Sequence, residues 1–168
     1  TEQEIYLERY DWTVHVMYDV HSKDAMKVRR HLRDLGCAGI PLEDACNLVL
    51  EGEPNKGITY SNIDTRKTIV VIGWTTSKGE YANSLTHEML HVVQHISELF
   101  LINMYTEEPC YLLGSSAKPP QARKAPFSPR SSAFYAESPS VRLFSKSLNN
   151  EENTPNLIQP IIIFATFA

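Results

Sequence analysis

Three cysteines in 168 residues, Cys37, Cys46 and Cys110, are too few and too widely spaced for a disulfide scaffold. None has a C-x-x-C neighbour, so a cysteine-built zinc knuckle is excluded as well. They read as reduced thiols of an intracellular protein. Long apolar runs are also missing. No segment reaches the ~18 apolar residues that a membrane-spanning helix needs, so no membrane partner is expected. The stretch from Thr1 to Tyr10 holds no apolar block of the signal-peptide kind, which leads to a cytoplasmic expectation, with secretion of a trimmed form left open. Basic excess is absent too: 16 Lys and Arg stand against 20 Asp and Glu, a net charge of −4, which disfavours a nucleic-acid partner. No internal repeat is visible. The composition excludes collagen, coiled coil and a wholly disordered chain, and the length suits one domain with a real core.

Composition changes abruptly after Gly114. The last 54 residues hold seven of the ten prolines and nine serines, with three acids against six bases. A stretch such as Ala117 to Pro129 has neither strand nor helix period. Residues 1–114 are therefore read as the folded domain and 115–168 as a Pro/Ser-rich, poorly ordered or non-native tail. Its apolar end, Leu157 to Ala168, is too short to span a bilayer and reads as a stray strand, a surface anchor or a reading-frame scar.

The first part is strongly patterned. Trp12, Val14, Val16, Tyr18 and Val20 alternate, as in a half-buried strand. Ser22 is placed to cap a helix running to Leu35 and stopped by Gly36. Pro41 opens a second short helix that ends at Gly52. Gly57 to Ile63 and Thr68 to Trp74 read as two strands joined by a polar turn. Ile69, Val70, Val71 and Ile72 are apolar on both faces, which places them deep in the sheet or along a covered edge. From Lys78 to Met104 the pattern is helical and apolar on several sides. The order β-α-α-β-β-α-α gives an α+β class, with a small, mainly antiparallel sheet packed on the last long helix.

That helix carries the run Leu85-Thr86-His87-Glu88-Met89-Leu90-His91-Val92-Val93-Gln94-His95. His87 and His91 are four residues apart, so their imidazoles leave one face a turn apart and suit a single zinc ion. Glu88, one residue after the first histidine, is placed to reach a metal-bound water without ligating the metal, the H-E-x-x-H arrangement. Two histidines and a glutamate on a largely apolar helix are costly unless something pairs with them. His95 continues the row but lies about 12 Å from His87 along an unbroken helix, too far for both to bind one ion. It reads as a surface or pocket-rim residue. A third ligand is expected from Thr106 to Gly114, where Thr106 or Glu108 is placed to cap a short helix, with Pro109 in its first turn, that can pack back against the histidine helix and offer a carboxylate.

Together, the strand Ile69 to Trp74, the run Thr86 to Gln94 and Glu107-Glu108-Pro109-Cys110-Tyr111-Leu112-Leu113-Gly114 resemble the gluzincin metallopeptidases, particularly their minimal bacterial and phage forms. The resemblance covers residues 68–114 well and the preceding part in outline. It implies one zinc per chain held by His87, His91 and Glu107, with Glu88 as general base in the hydrolysis of a peptide or protein substrate. It also implies that the strand Ile69, Val70, Val71, Ile72 is the edge along which a peptide lies extended. Tyr111 stands where many gluzincins have an aspartate that orients the first histidine. Pro109 restricts Glu108, so Glu108 remains an alternative ligand. Tyr111 and His95 are the candidates to stabilise the oxyanion. The rival reading is a zincin-like module that binds metal and cuts nothing. The sequence assigns no oligomeric state.

Overall fold

A computed structural model of the chain describes residues 1–116 and 161–165. The expectations made for 117–160 and 166–168 lie outside the described residues. Strand β1 (Glu2–Leu7) and strand β2 (Trp12–Val20) pair antiparallel, with Glu2 opposite Met17 and Leu7 opposite Trp12. The tight connection between them places Asp11 in the left-handed region at φ 48°, and the Tyr6 hydroxyl donates to its Oδ1 at 2.8 Å. A one-turn 3-10 helix over Ser22–Asp24 leads into helix α1 (Ala25–Asp34), and the Asp24 carboxylate accepts from the His21 N–H at 3.0 Å. Gly36 then turns the chain at φ 90°. Helix α2 (Ile40–Glu51) has Pro41 in its first turn and ends at Gly52, whose φ is 67°.

Strands β3 (Gly57–Asn62) and β4 (Lys67–Gly73) form an antiparallel pair. Helix α3 (Lys78–Leu99) is capped by Ser77, whose side chain accepts from the Glu80 N–H. Its end is a Schellman closure. Ile102 N–H donates to Ser97 O at 2.8 Å, while Leu101 sits at φ 52° in the position that usually holds glycine. The helix therefore stops at Leu99, short of the expected Met104. Helix α4 (Glu107–Ser116) follows, and strand β5 (Ile161–Ala165) adds to the sheet against β3. None of the helices among the described residues is long and apolar enough to cross a membrane.

The strand order is β1-β2-β4-β3-β5, with β2 and β4 parallel and every other pair antiparallel. The α+β class is as expected. β4, however, is an interior strand. Its backbone is laddered to β2 on one side and β3 on the other, and Ile69, Val70, Val71 and Ile72 are all buried. No peptide can add along it, because its donors and acceptors are already paired. The expectation of an open substrate edge at Ile69 to Ile72 is thereby corrected.

Helices cover both faces of the sheet. On one face Trp12, Val14, Val16, Val70 and Ile72 pack with Met89, Val92, Val93 and Ile96 of α3 and Leu112 of α4. On the other, Met17, Ile58, Tyr60, Ile69 and Val71 pack with Val28 and Leu32 of α1 and with Leu42, Ala45 and Val49 of α2. The alternation of β2 and β4 thus sends successive residues into two different cores.

Candidate metal centre

The His87–His91 pair stands where helical spacing puts it. Nε2 of His87 and Nε2 of His91 are 2.9 Å apart, and the ring centroids are 4.6 Å apart in an edge-on arrangement. His91 is oriented by Gln94: its Nδ1 lies 3.0 Å from the Gln94 side-chain carbonyl oxygen, an acceptor. Nδ1 therefore carries the proton, and Nε2 of His91 accepts from His87 Nε2–H. Two nitrogens bound to one zinc at ~2.1 Å stand ~3.4 Å apart at a tetrahedral angle, so the pair would have to open by roughly half an ångström to take an ion in place of the shared proton. Burial, and then the charge of His91, hold the His87 imidazole below its usual range, which favours the neutral, ligating form.

Glu88 points the other way, into the interface of α3 with β3, and is fully buried. Its Oε2 accepts from the Thr59 hydroxyl at 2.6 Å, whereas its buried Oε1 has no hydrogen-bond partner among the described residues. Burial pushes the carboxyl up to about 7, against the opposing pull of the Thr59 hydrogen bond. Gly57 makes this placement possible. A Cβ there would stand 2.6 Å from Cδ and 2.7 Å from Cγ of Glu88, inside van der Waals contact.

His95 is a correction. It is not at a rim; it is 1% exposed and turned to the sheet, seven residues and two turns beyond Glu88 on the same helix row. Its Nδ1 is 2.7 Å from the Ser61 hydroxyl, which is 2.7 Å from that of Thr68, which in turn accepts from the Trp12 indole N–H at 2.8 Å. Burial, then the charge of His91, lower its pKa to about 4, so the ring is neutral near neutral pH.

Helix α4 does not supply the expected partner. Glu107 is exposed at the first position of α4. Glu108 is occupied by other groups: its Oε1 accepts from the Tyr10 hydroxyl at 2.7 Å and lies 2.8 Å from the Arg9 guanidinium. These contacts tie α4 to the β1–β2 connection. Tyr111 is 73% exposed and lines, with Glu108, Arg9 and Tyr6, an open cleft of about 490 Å³ beside β1. Among the described residues, the group of three metal-type side chains whose ligand atoms converge is Glu2, His15 and His31, which does not include His87, His91 or Glu107.

Three contributors were not nominated from the sequence. Gln94 orients His91, and Thr59 and Gly57 hold and admit Glu88. The signal for Gly57 and Thr59 was present in Gly57-Ile58-Thr59-Tyr60-Ser61, where one parity of a buried strand is small or polar and faces a helix carrying Glu88 and His95. No family model matches the chain, and neither a curated protein nor a solved structure matches it.

Proposed function

We propose that the chain is a zinc-dependent peptide hydrolase built on the H-E-x-x-H helix, without the gluzincin glutamate ligand from α4. The reading rests on one observation: two helix-borne imidazole nitrogens 2.9 Å apart, next in sequence to a buried glutamate one of whose oxygens has no hydrogen-bond partner among the described residues. His87 and His91 would hold the ion. When bound, zinc supplies a Lewis acid that polarises a carbonyl and acidifies its own water. Glu88 is the general base in this reading: once its carboxyl swings out from Thr59 towards the histidine pair, it would take a proton at Oε1 and return it to the leaving amine. Gln94 holds His91 in the tautomer that offers Nε2.

The test is paired. Zinc measured by elemental analysis is expected at one equivalent for this pair and to fall by that equivalent in His87→Ala/His91→Ala. Glu88→Gln keeps the zinc and the fold, and hydrolysis of a peptide library is expected to drop at least ~10²-fold. Equal cleavage by wild type and Glu88→Gln refutes the assignment of the base.

A second reading, a metal-binding module without peptidase activity, is favoured by two observations. Glu88 is wholly inaccessible, and no acid converges on the histidine pair among the described residues. Absence of cleavage by zinc-loaded wild type across the library selects it.

A further inference from the structure

On the sheet face opposite α3, Glu2 of β1, His15 of β2 and His31 of α1 bring one ligand atom each to within 4.8 Å of one another. Glu2 Oε2 is 3.4 Å from His15 Nε2. That equals the ~3.4 Å edge between two ligands of a tetrahedral ion bonded at ~2.1 Å. The two imidazoles stack, with centroids 4.8 Å apart and planes inclined by 27°. Nε2 of His15 and Nε2 of His31 are both buried, and neither has a hydrogen-bond partner among the described residues. Two buried imidazole nitrogens that make no hydrogen bond, set beside a carboxylate, call for something to bind them.

We propose that Glu2, His15 and His31 form a site for a divalent first-row transition metal ion. Two imidazoles and one carboxylate select zinc or its neighbours over magnesium and calcium, which prefer all-oxygen shells. The three ligands come from β1, β2 and α1, so the ion ties the outer strand and the first helix to the sheet. Three ligands leave a coordination position open to water. Lys27, one turn before His31, pairs with Glu2 Oε1. Its ammonium neutralises the carboxylate in the metal-free state and opposes an incoming cation.

Zinc titration of the full chain, stripped with chelator, tests the site. His87→Ala/His91→Ala is the background, so that the two candidate centres are read apart. This double variant is expected to retain one zinc equivalent. Adding Glu2→Gln or His31→Gln should weaken that binding at least ~10-fold, and Lys27→Gln should tighten it several-fold. Circular dichroism follows the fold. Glu2→Gln changes a partly exposed side chain at a strand end, so it serves even if His31→Gln folds poorly. Cobalt substituted for zinc gives visible absorption bands expected to disappear with Glu2→Gln. The proposal is overturned if the double variant binds no zinc, or if its zinc is indifferent to both Glu2→Gln and His31→Gln. By contrast, equal zinc in wild type and the double variant refutes the α3 centre and leaves this one standing.

Discussion

Two buried groups on one row of α3 titrate against each other. Glu88 is raised to about 7 from an ordinary 4.5, so between those values the folded chain binds more protons than the unfolded one. Its contribution to stability falls as pH rises. His95 is lowered to about 4 from an ordinary 6.5, so between those values the unfolded chain binds more protons, and its contribution falls as pH drops. Each effect amounts to roughly 3 kcal/mol at full extent, and over about pH 4.5 to 6.5 they offset. In chelator-treated protein, urea unfolding should therefore show Glu88→Gln losing stability more steeply than wild type on acidification through that window. His95→Gln should reverse the trend and gain stability towards pH 4.5. Parallel pH profiles for wild type and both variants would contradict the opposed shifts. At this scale the sequence was half legible. Spacing alone put His87 and His91 together, because i and i+4 share a helix face whatever surrounds them. It could not tell that His95 looks inward, since an apolar pattern on several sides of a helix does not say which side meets the sheet. Nor could it tell that Glu108 serves Tyr10 and Arg9, a contact 98 residues apart in sequence.

Elements meet where single atoms decide the fit. α3 lies against β3 because Gly57 leaves room for Glu88, and Gly57→Ala should destabilise the protein by about 1–3 kcal/mol through overpacking. The same change in a Glu88→Ala background should cost much less, so a double-mutant cycle read by urea unfolding detects the contact. A second prediction concerns the end of α3. Leu101 adopts the left-handed conformation of a Schellman cap while 80% exposed, so Leu101→Gly should stabilise by about 1 kcal/mol. A lower thermal midpoint for Leu101→Gly would refute that reading. The cap explains why the helix was expected to reach Met104. The apolar residues continue past Leu99 and no glycine marks the stop. β1 escaped the sequence reading for a related reason. As an outer strand it exposes Glu2, Glu4 and Tyr6, so no apolar run announces it. The charges that hide it also discourage pairing with another chain. β4 was legible from Ile69 to Ile72 as a strand deep in the sheet or along a covered edge, and the idea of an open, substrate-binding edge came from the resemblance.

For the whole molecule, the placement of β5 has a kinetic consequence. Ala165 stands opposite Gly57 and Ile163 opposite Thr59, so this strand runs along the β3 residues that admit and hold Glu88. It belongs to the same chain, and its docking is a first-order event that dilution does not reverse. If the chain hydrolyses peptides as proposed, a substrate adding to that edge would meet a built-in competitor, and its apparent affinity would be divided by a constant factor set by how firmly β5 docks. Competition of this form raises KM and leaves kcat untouched. Ile163→Pro in the full chain removes a ladder donor and weakens the competitor. Peptide hydrolysis should then show a lower KM at unchanged kcat. An unchanged KM would mean that β5 does not guard a peptide-binding edge.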